Sequence, residues 1–127
     1  GLSVLLVEDD PLSAVTEANF LQKVGASVTH AENGLLALQA LREGRFDLVL
    51  MDVQMPVMDG VEATRAIRAG QVGEGVRNIP IVALTAYAMD GDKEKFLAAG
   101  MDGYIAKPVE IGELVRTLSA FARRAGR

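Results

Sequence analysis

The chain has 127 residues, with 13 Lys and Arg against 17 Asp and Glu, and it contains no cysteine. This length predicts a single domain over residues 1–127 that buries roughly two-thirds of its unfolded surface. The absence of cysteine excludes disulfides, zinc fingers, iron–sulfur clusters and thiol catalysis. No apolar run reaches the roughly 18 residues of a membrane span. The sequence pI near 5 argues against bulk binding to nucleic-acid phosphates.

Five short apolar runs are predicted as strands, and segments with helical spacing separate them. The runs are Leu2–Val7, Ala26–Thr29, Leu48–Met51, Ile79–Leu84 and Gly103–Ala106. The first, third and fourth are nearly continuous in Val, Leu and Ile, as expected for strands buried on both faces. The predicted N-caps are Asp10, Asn33 and Asp59, and the predicted helix ends are Gly25, Gly44, Gly70 and Gly100.

This alternation of strands and helices predicts an α/β fold of the (βα)5 type. Right-handed crossovers require a parallel sheet with helices on both faces, which makes a three-layer sandwich. Five strands at this length favour the flavodoxin-like strand order 2-1-3-4-5, because a barrel needs roughly 200 residues or more. In such sheets, functional sites form at the carboxyl ends of the strands, beside the first and third strands.

Polar side chains follow the predicted strands at these carboxyl ends. Glu8, Asp9 and Asp10 follow the first strand, Asp52 the third, Thr85 the fourth and Lys107 the fifth. Carboxylates that converge repel one another, so without a counter-ion some of them would have to take up protons. An oxygen-only cluster favours a hard divalent cation, and the need for open water positions favours Mg²⁺ over Ca²⁺. We interpret Asp10 first as a helix cap and only second as a metal or water contact.

The net charge of −4 has a local explanation in this pattern. Without Glu8, Asp9, Asp10 and Asp52, the remaining 13 acidic residues equal the 13 basic ones. The whole formal excess of acid is therefore predicted to lie at one edge of the sheet.

Four motifs, in order along the chain, resemble the receiver domain of two-component response regulators. They are VEDD at 7–10, MDVQMPVMDG at 51–60, LTAYA at 84–88 and KP at 107–108, and the resemblance covers nearly the whole chain. The stretches ALTAYAM and GMDGYIAKPV are most similar to receivers of hybrid sensor histidine kinases. We therefore expect a cytoplasmic domain excised from a hybrid kinase, whose parent chain is a histidine kinase that can be membrane-anchored.

The resemblance implies a role for each residue that matches the motifs. Asp52 accepts a phosphoryl group from a partner's phosphohistidine, and Lys107 forms an ion pair at the site. Glu8, Asp9, Asp52 and the backbone carbonyl of Gln54 hold Mg²⁺, for which Mn²⁺ can substitute. The resemblance also implies a cis Lys107–Pro108 peptide bond, which proline permits at a cost of about 0.5–1 kcal/mol.

The resemblance also implies how phosphorylation becomes a signal. Thr85 contacts the phosphoryl group, and Tyr104 is the switch aromatic that turns inward when Thr85 moves. Gln54, Ala86 and Tyr87 lie where the family tunes the access of attacking water.

The partners implied by the resemblance are a histidine kinase or a histidine phosphotransfer domain, and a phosphorylation-dependent dimer is a further option. The domain promotes its own phosphorylation and dephosphorylation without being a turnover enzyme. No direct nucleic-acid binding and no membrane insertion of this segment are expected. His30, the only histidine, is interpreted as a surface residue, so the phosphodonor must belong to another chain or domain.

The residues leave three alternative functions open. One is a stand-alone single-domain response regulator. Another is an aspartyl-phosphate hydrolase of the haloacid dehalogenase type, which is disfavoured because Gln54 occupies the position of the general acid. The last is a flavin-binding electron carrier, which is disfavoured because the acidic Glu8-Asp9-Asp10 turn would repel a flavin phosphate.

Overall fold

The computed structural model describes residues 2–53, 58–86 and 90–124. In these ranges, five strands alternate with five α-helices, and a short 3₁₀ helix lies at Glu74–Val76. The strands are β1 (Ser3–Val7), β2 (Ser27–Ala31), β3 (Leu48–Asp52), β4 (Ile81–Thr85) and β5 (Gly103–Ala106). The helices are α1 (Pro11–Lys23), α2 (Gly34–Glu43), α3 (Gly60–Arg68), α4 (Asp90–Ala99) and α5 (Ile111–Arg124). None of these helices has the length and apolar character that crossing a membrane requires.

The strands form one parallel sheet in the order β2-β1-β3-β4-β5, which confirms the predicted fold class and topology. The register brings the carboxyl ends of the central strands level with one another. Asp52 pairs with Leu84, and Thr85 pairs with Ala106. Residues at or just beyond these strand ends therefore share one edge of the sheet.

Two hydrophobic cores, one on each face of the sheet, hold the helices in place. One core joins Leu5, Val49 and Ile81 of the sheet to Leu41 of α2, Ile67 of α3 and Phe96 of α4. The other joins Leu6, Leu50 and Leu84 of the sheet to Leu21 of α1 and Leu118 of α5. Because β1, β3 and β4 are buried on both faces, their positions are set by packing from two directions.

The three predicted helix caps are confirmed. Asp10, Asn33 and Asp59 accept hydrogen bonds from the backbone N–H groups of Ser13, Leu36 and Glu62, respectively. Glu62 also accepts a hydrogen bond from the Asp59 N–H, which completes a capping box at the start of α3. Each cap lies shortly after a strand, so these helices begin at the carboxyl edge of the sheet.

The strand boundaries differ from the sequence prediction by one residue at four ends and by two residues at the end of β2 and the start of β4. The second strand was placed at Ala26–Thr29, but β2 continues to Ala31 because it pairs with β1 as far as Val7. This edge strand is half-exposed, so its apolar pattern alone does not show where pairing ends. The fourth strand begins at Ile81 rather than Ile79, and the intervening Pro80 has no N–H to donate to a ladder.

Candidate functional site

Three carboxylates meet at the carboxyl edge of the sheet, and we call Glu8, Asp9 and Asp52 the acidic corner. One carboxylate oxygen from each lies within 4.8 Å of the others. Glu8 is fully buried and Asp52 is 5% exposed, whereas Asp9 faces solvent. The turn after β1 supplies two of these groups and the last residue of β3 supplies the third, so the sheet register brings them together.

Lys107 is the cation that contacts this corner in the described part of the chain. Its Nζ lies 2.6 Å from Glu8 Oε1 and 3.3 Å from Asp52 Oδ2. The residue follows β5 directly, and its backbone N–H donates to the Thr85 carbonyl at 2.8 Å. The Lys107–Pro108 peptide bond is cis, as expected from the sequence.

The electrostatics of the corner show an excess of negative charge. Loss of hydration, followed by a hydrogen bond and repulsion from Asp52, raises the pKa of Asp9. Burial acts to lower the pKa of Lys107, but its hydrogen bond to Glu8 and the charges of Asp52 and Glu8 outweigh burial and raise it. Both shifts have the direction expected where carboxylates outnumber cations.

Thr85 is the last residue of β4, Ala86 follows it directly, and Tyr104 lies on β5 opposite Ala83. Thr85 is buried, and it lies one residue beyond Leu84, the β4 partner of Asp52. Ala86 is small and exposed. Tyr104 is 37% exposed, and the Lys93 ammonium lies 5.9 Å from the centroid of its ring. Gln54 and Tyr87, the other residues assigned to metal binding or water access, lie outside the described residues.

Gly60 brings the start of α3 directly against the backbone of Asp52. Its N–H donates to the Val53 carbonyl at 3.3 Å. A Cβ at this position would collide with the Asp52 carbonyl oxygen and would lie 2.9 Å from Met51 Cγ. Only glycine allows this approach of helix to strand.

One buried carboxyl group beside the acidic corner was not predicted from the sequence. Glu17 of α1 is 4% exposed, and its Oε1 has no hydrogen-bond partner among the described residues. Burial, repulsion from Glu8 and a hydrogen bond with Glu8 raise the pKa of Glu17 to about 8. The signal was present in the sequence: Ala14, Glu17 and Leu21 have the spacing of a buried helical stripe, and all three are buried.

A contact of His30 was likewise not predicted from the sequence. The residue is exposed, as predicted, but its Nε2 lies 2.7 Å from the backbone carbonyl oxygen of Glu8. No sequence pattern announces this contact, because it depends on how β2 ends beside β1.

The donor set of the acidic corner fits a hard divalent cation. It offers three carboxylate oxygens and no sulfur or nitrogen ligand, as Mg²⁺ prefers. Its three carboxylates outnumber Lys107, the contacting cation, so the acidic corner carries more negative than positive charge. A bound divalent cation would offset that excess.

Comparison with known proteins places these features in a family. Residues 4–119 match the response regulator receiver domain. Sensor protein GacS of Pseudomonas syringae pv. syringae is 44% identical over 115 residues, which cover 91% of this chain and 13% of GacS. The polar-differentiation response regulator DivK of Brucella anthropi is 35% identical over 119 residues, which cover 94% of each chain.

Solved structures agree with this assignment. The receiver domain of sensor histidine kinase PA1611 from Pseudomonas aeruginosa PAO1 has a magnesium ion coordinated in its active-site cleft. It superposes with a TM-score of 0.86 at 43% identity, covering 95% of this chain and 97% of that one. The Ssk1 receiver domain of Saccharomyces cerevisiae, in complex with the histidine phosphotransfer protein Ypd1, gives 0.85 at 34% identity, covering 94% and 88%. The chain belongs to the family of response regulator receiver domains.

Proposed function

We propose that this domain, over residues 1–127, takes a phosphoryl group from a partner's phosphohistidine onto Asp52 in a Mg²⁺-dependent reaction. The observation that carries the proposal is the acidic corner itself, in which Lys107 bridges Glu8 and Asp52 at the carboxyl edge of the sheet. The donor is a histidine kinase or a histidine phosphotransfer domain, the class to which the partner of the Ssk1 receiver belongs.

In this reaction a carboxylate oxygen of Asp52 attacks the phosphorus of the phosphohistidine. The new P–O bond forms as the P–N bond breaks, and the donor imidazole leaves with the bonding electron pair. A carboxylate is a weak nucleophile toward a charged phosphoryl group, so positioning and charge neutralisation supply the catalysis. The Lys107 ammonium would move from its two carboxylates to a phosphoryl oxygen, and the Thr85 hydroxyl would donate to another.

The metal would be held by Glu8, Asp9, Asp52 and the backbone carbonyl of Gln54. When bound, Mg²⁺ neutralises charge on the transferring phosphoryl oxygens, and Mn²⁺ is expected to substitute because it also accepts oxygen ligands. The oxygen-only donor set of the acidic corner supports this assignment.

A protein donor is supported by apolar surface beside the corner. Leu12 is 80% exposed in the first turn of α1, and it lines a cavity of 210 Å³ together with Lys107 and Pro108. Val15, one turn along, is 60% exposed. A phosphohistidine that reaches Asp52 would bring its own domain against this part of α1. The side chains of Leu12 and Val15 would then become buried in the complex.

Phosphotransfer can be tested with a small acyl-phosphate donor and mass spectrometry of the labelled chain. The wild type with Mg²⁺ should gain one phosphoryl mass on Asp52, and Asp52→Asn or EDTA should remove it. Asp10→Asn is the matched control, because asparagine caps a helix as well as aspartate does. Labelling of Asp52→Asn at the wild-type level would refute the assignment.

The output step of the proposal is a rearrangement of Thr85 and Tyr104. When Thr85 moves toward the phosphoryl group, Tyr104 turns from its half-exposed position into the vacated space, and the surface of α4, β5 and α5 changes. The ring resonances of Tyr104 should therefore shift when a beryllofluoride phosphate mimic is added to the Mg²⁺ form. One unchanged ring environment in both states would contradict the switch. Gln54, Ala86 and Tyr87 would set the rate of hydrolysis through water access.

The parent protein is most consistent with a hybrid sensor histidine kinase. The sensor protein GacS is 44% identical, and this chain spans 13% of its length. The match to DivK, of which the chain covers 94%, favours the single-domain regulator as the second candidate. In either case we place the reaction in the cytoplasm, where ATP charges histidine kinases.

A further inference from the structure

The single histidine of the chain contacts the backbone of the acidic corner rather than its side chains. His30 lies on β2, opposite Leu6 of β1, and its Nε2 approaches the Glu8 carbonyl oxygen to 2.7 Å. A carbonyl oxygen only accepts hydrogen bonds, so the imidazole must carry its proton on Nε2. The contact is therefore a hydrogen bond from His30 to Glu8.

This hydrogen bond replaces one that the sheet cannot supply. The ladder between β1 and β2 ends with the pair Val7 and Ala31, and the Glu8 N–H still donates to the Ala31 carbonyl at 3.0 Å. Beyond Ala31 the chain turns toward Asn33, which caps α2. The Glu8 carbonyl has thus passed the end of the ladder, and the imidazole of the neighbouring strand supplies its donor.

The hydrogen bond from His30 matters because of where the Glu8 carbonyl lies. It belongs to the peptide group that joins Glu8 to Asp9, the two acidic-corner residues contributed by the turn after β1. Rotation of that peptide plane would change ψ of Glu8 and φ of Asp9 together, and both carboxylates would move. A hydrogen bond that holds the plane therefore orients two carboxylates at once.

We propose that His30 is a positioning residue for the metal site, which it preorganises by holding the Glu8–Asp9 peptide. This inference rests on the proposed function, because it assigns Glu8 and Asp9 to a divalent cation. Groups that orient metal ligands typically contribute 10- to 100-fold in affinity. One hydrogen bond to the backbone should give an effect of roughly tenfold, at the lower end of that range.

The test is Mg²⁺ binding by isothermal titration calorimetry, with thermal unfolding of each variant measured in parallel. His30→Phe keeps a planar ring but has no donor, and His30→Gln restores a side-chain N–H. Thr29→Val, at the neighbouring exposed position of β2, is the matched control. We expect His30→Phe to weaken Mg²⁺ binding roughly tenfold, His30→Gln to recover most of it, and Thr29→Val to match the wild type. The rate of Asp52 labelling in Thr29→Val should also match the wild type.

Wild-type affinity in His30→Phe would overturn the positioning role, and so would equal losses in His30→Phe and His30→Gln. If His30→Phe does not fold, the wild-type protein provides a second measurement. The neutral imidazole should show the Nε2–H tautomer by ¹⁵N NMR, and an Nδ1–H tautomer would overturn the proposal. Unchanged Mg²⁺ binding in Asp9→Asn would instead refute the metal site itself, so the two failures are distinguishable.

Discussion

At the amino end of the sheet, the carboxylates of Asp47 and Asp102 accept hydrogen bonds from the backbone, whereas at the carboxyl end the carboxylates face one another. Asp47 accepts from the Ser3 N–H at 2.8 Å, and Asp102 accepts from the Ile81 N–H at 2.8 Å. Each of these two aspartates ties together the starts of neighbouring strands. The same residue type therefore serves strand pairing at one end and forms the acidic corner at the other.

Arg68 forms further hydrogen bonds at the amino end of the sheet. Its guanidinium donates to the backbone carbonyls of Gly100, Arg77 and Ile79 at 2.7–2.9 Å, and to Asp102 at 3.0 Å. These bonds join the end of α3 to the loops before β4 and β5. A planar donor of this kind can serve several acceptors at fixed positions.

The difference between the ends lies in how the charges are satisfied. At the amino end, backbone donors and Arg68 satisfy the carboxylates, so nothing further is needed there. At the carboxyl end, Lys107 is shared between Glu8 and Asp52, and Asp9 and Glu17 have raised pKa values. This imbalance makes the carboxyl end responsive to an added cation or phosphoryl group.

Of the substitutions that test this comparison, removal of Lys107 should change the free energy of unfolding most. Lys107→Met leaves Glu8 and Asp52 without their cation, so the free energy of unfolding in EDTA should fall by about 3 kcal/mol, near the lower limit for breaking a buried ion pair. Mg²⁺ should restore part of the loss, and Asp52 labelling should fall sharply. Denaturant unfolding with and without Mg²⁺ measures the stability terms, and Lys107→Arg is the control that keeps the charge. Equal stability of Lys107→Met and wild type in EDTA would contradict the described imbalance.

Removal of Arg68 should affect stability without affecting the metal site. Arg68→Met leaves several backbone carbonyls without a donor, and we expect a loss of about 2 kcal/mol in the free energy of unfolding. Mg²⁺ affinity measured by calorimetry should be unchanged, because the network lies at the opposite end of the sheet. Arg65→Met, at an exposed position of the same helix, should cost little. A weakened Mg²⁺ affinity in Arg68→Met would show that the two ends are coupled.

Glu17 should produce a smaller effect that depends on pH. Its pKa is about 8 in the folded chain against an ordinary value of 4.5. The folded state therefore binds the proton more tightly, and stability decreases as the pH rises from about 4.5 to about 8. Glu17→Leu should remove this slope and raise the free energy of unfolding at pH 8.5 by about 1–3 kcal/mol, with little gain at pH 5.

The measurement is denaturant unfolding in EDTA across this pH range. Glu94→Leu, at an exposed position of α4, should keep the wild-type slope. A wild-type slope in Glu17→Leu would show that another group is responsible.

The strand order and the edge that carries Glu8, Asp9 and Asp52 can be predicted from the sequence, because local patterns determine both. Continuous apolar runs mark the buried strands, and parallel topology brings their carboxyl ends together. The end of β2 cannot be predicted in this way, since pairing with Val7 rather than hydrophobicity extends it to Ala31. The roles assigned to Thr85, Tyr104 and Gln54 stay predictions.

The remaining features that the sequence does not predict are contacts between elements that lie far apart along the chain. Glu17 is visible as a polar residue on a buried stripe, but its approach to Glu8 depends on how α1 packs on the sheet. The hydrogen bonds of Arg68 reach residues 9 to 34 positions away, and nothing local in the sequence indicates them. The His30 contact depends on the offset between the ends of two strands.

The contact of Gly60 with the Asp52 backbone limits how this domain can evolve. A side chain at position 60 has no space to enter, because the collision is with main-chain atoms that cannot rotate away. In a library of all single substitutions selected for signalling, position 60 should remain glycine. Position 62, where the exposed Glu62 lies two residues later, should vary within the limits set by its capping role. The tolerance of position 60 to mutation is therefore decided by the lack of space beside the Asp52 main chain, independently of any charge.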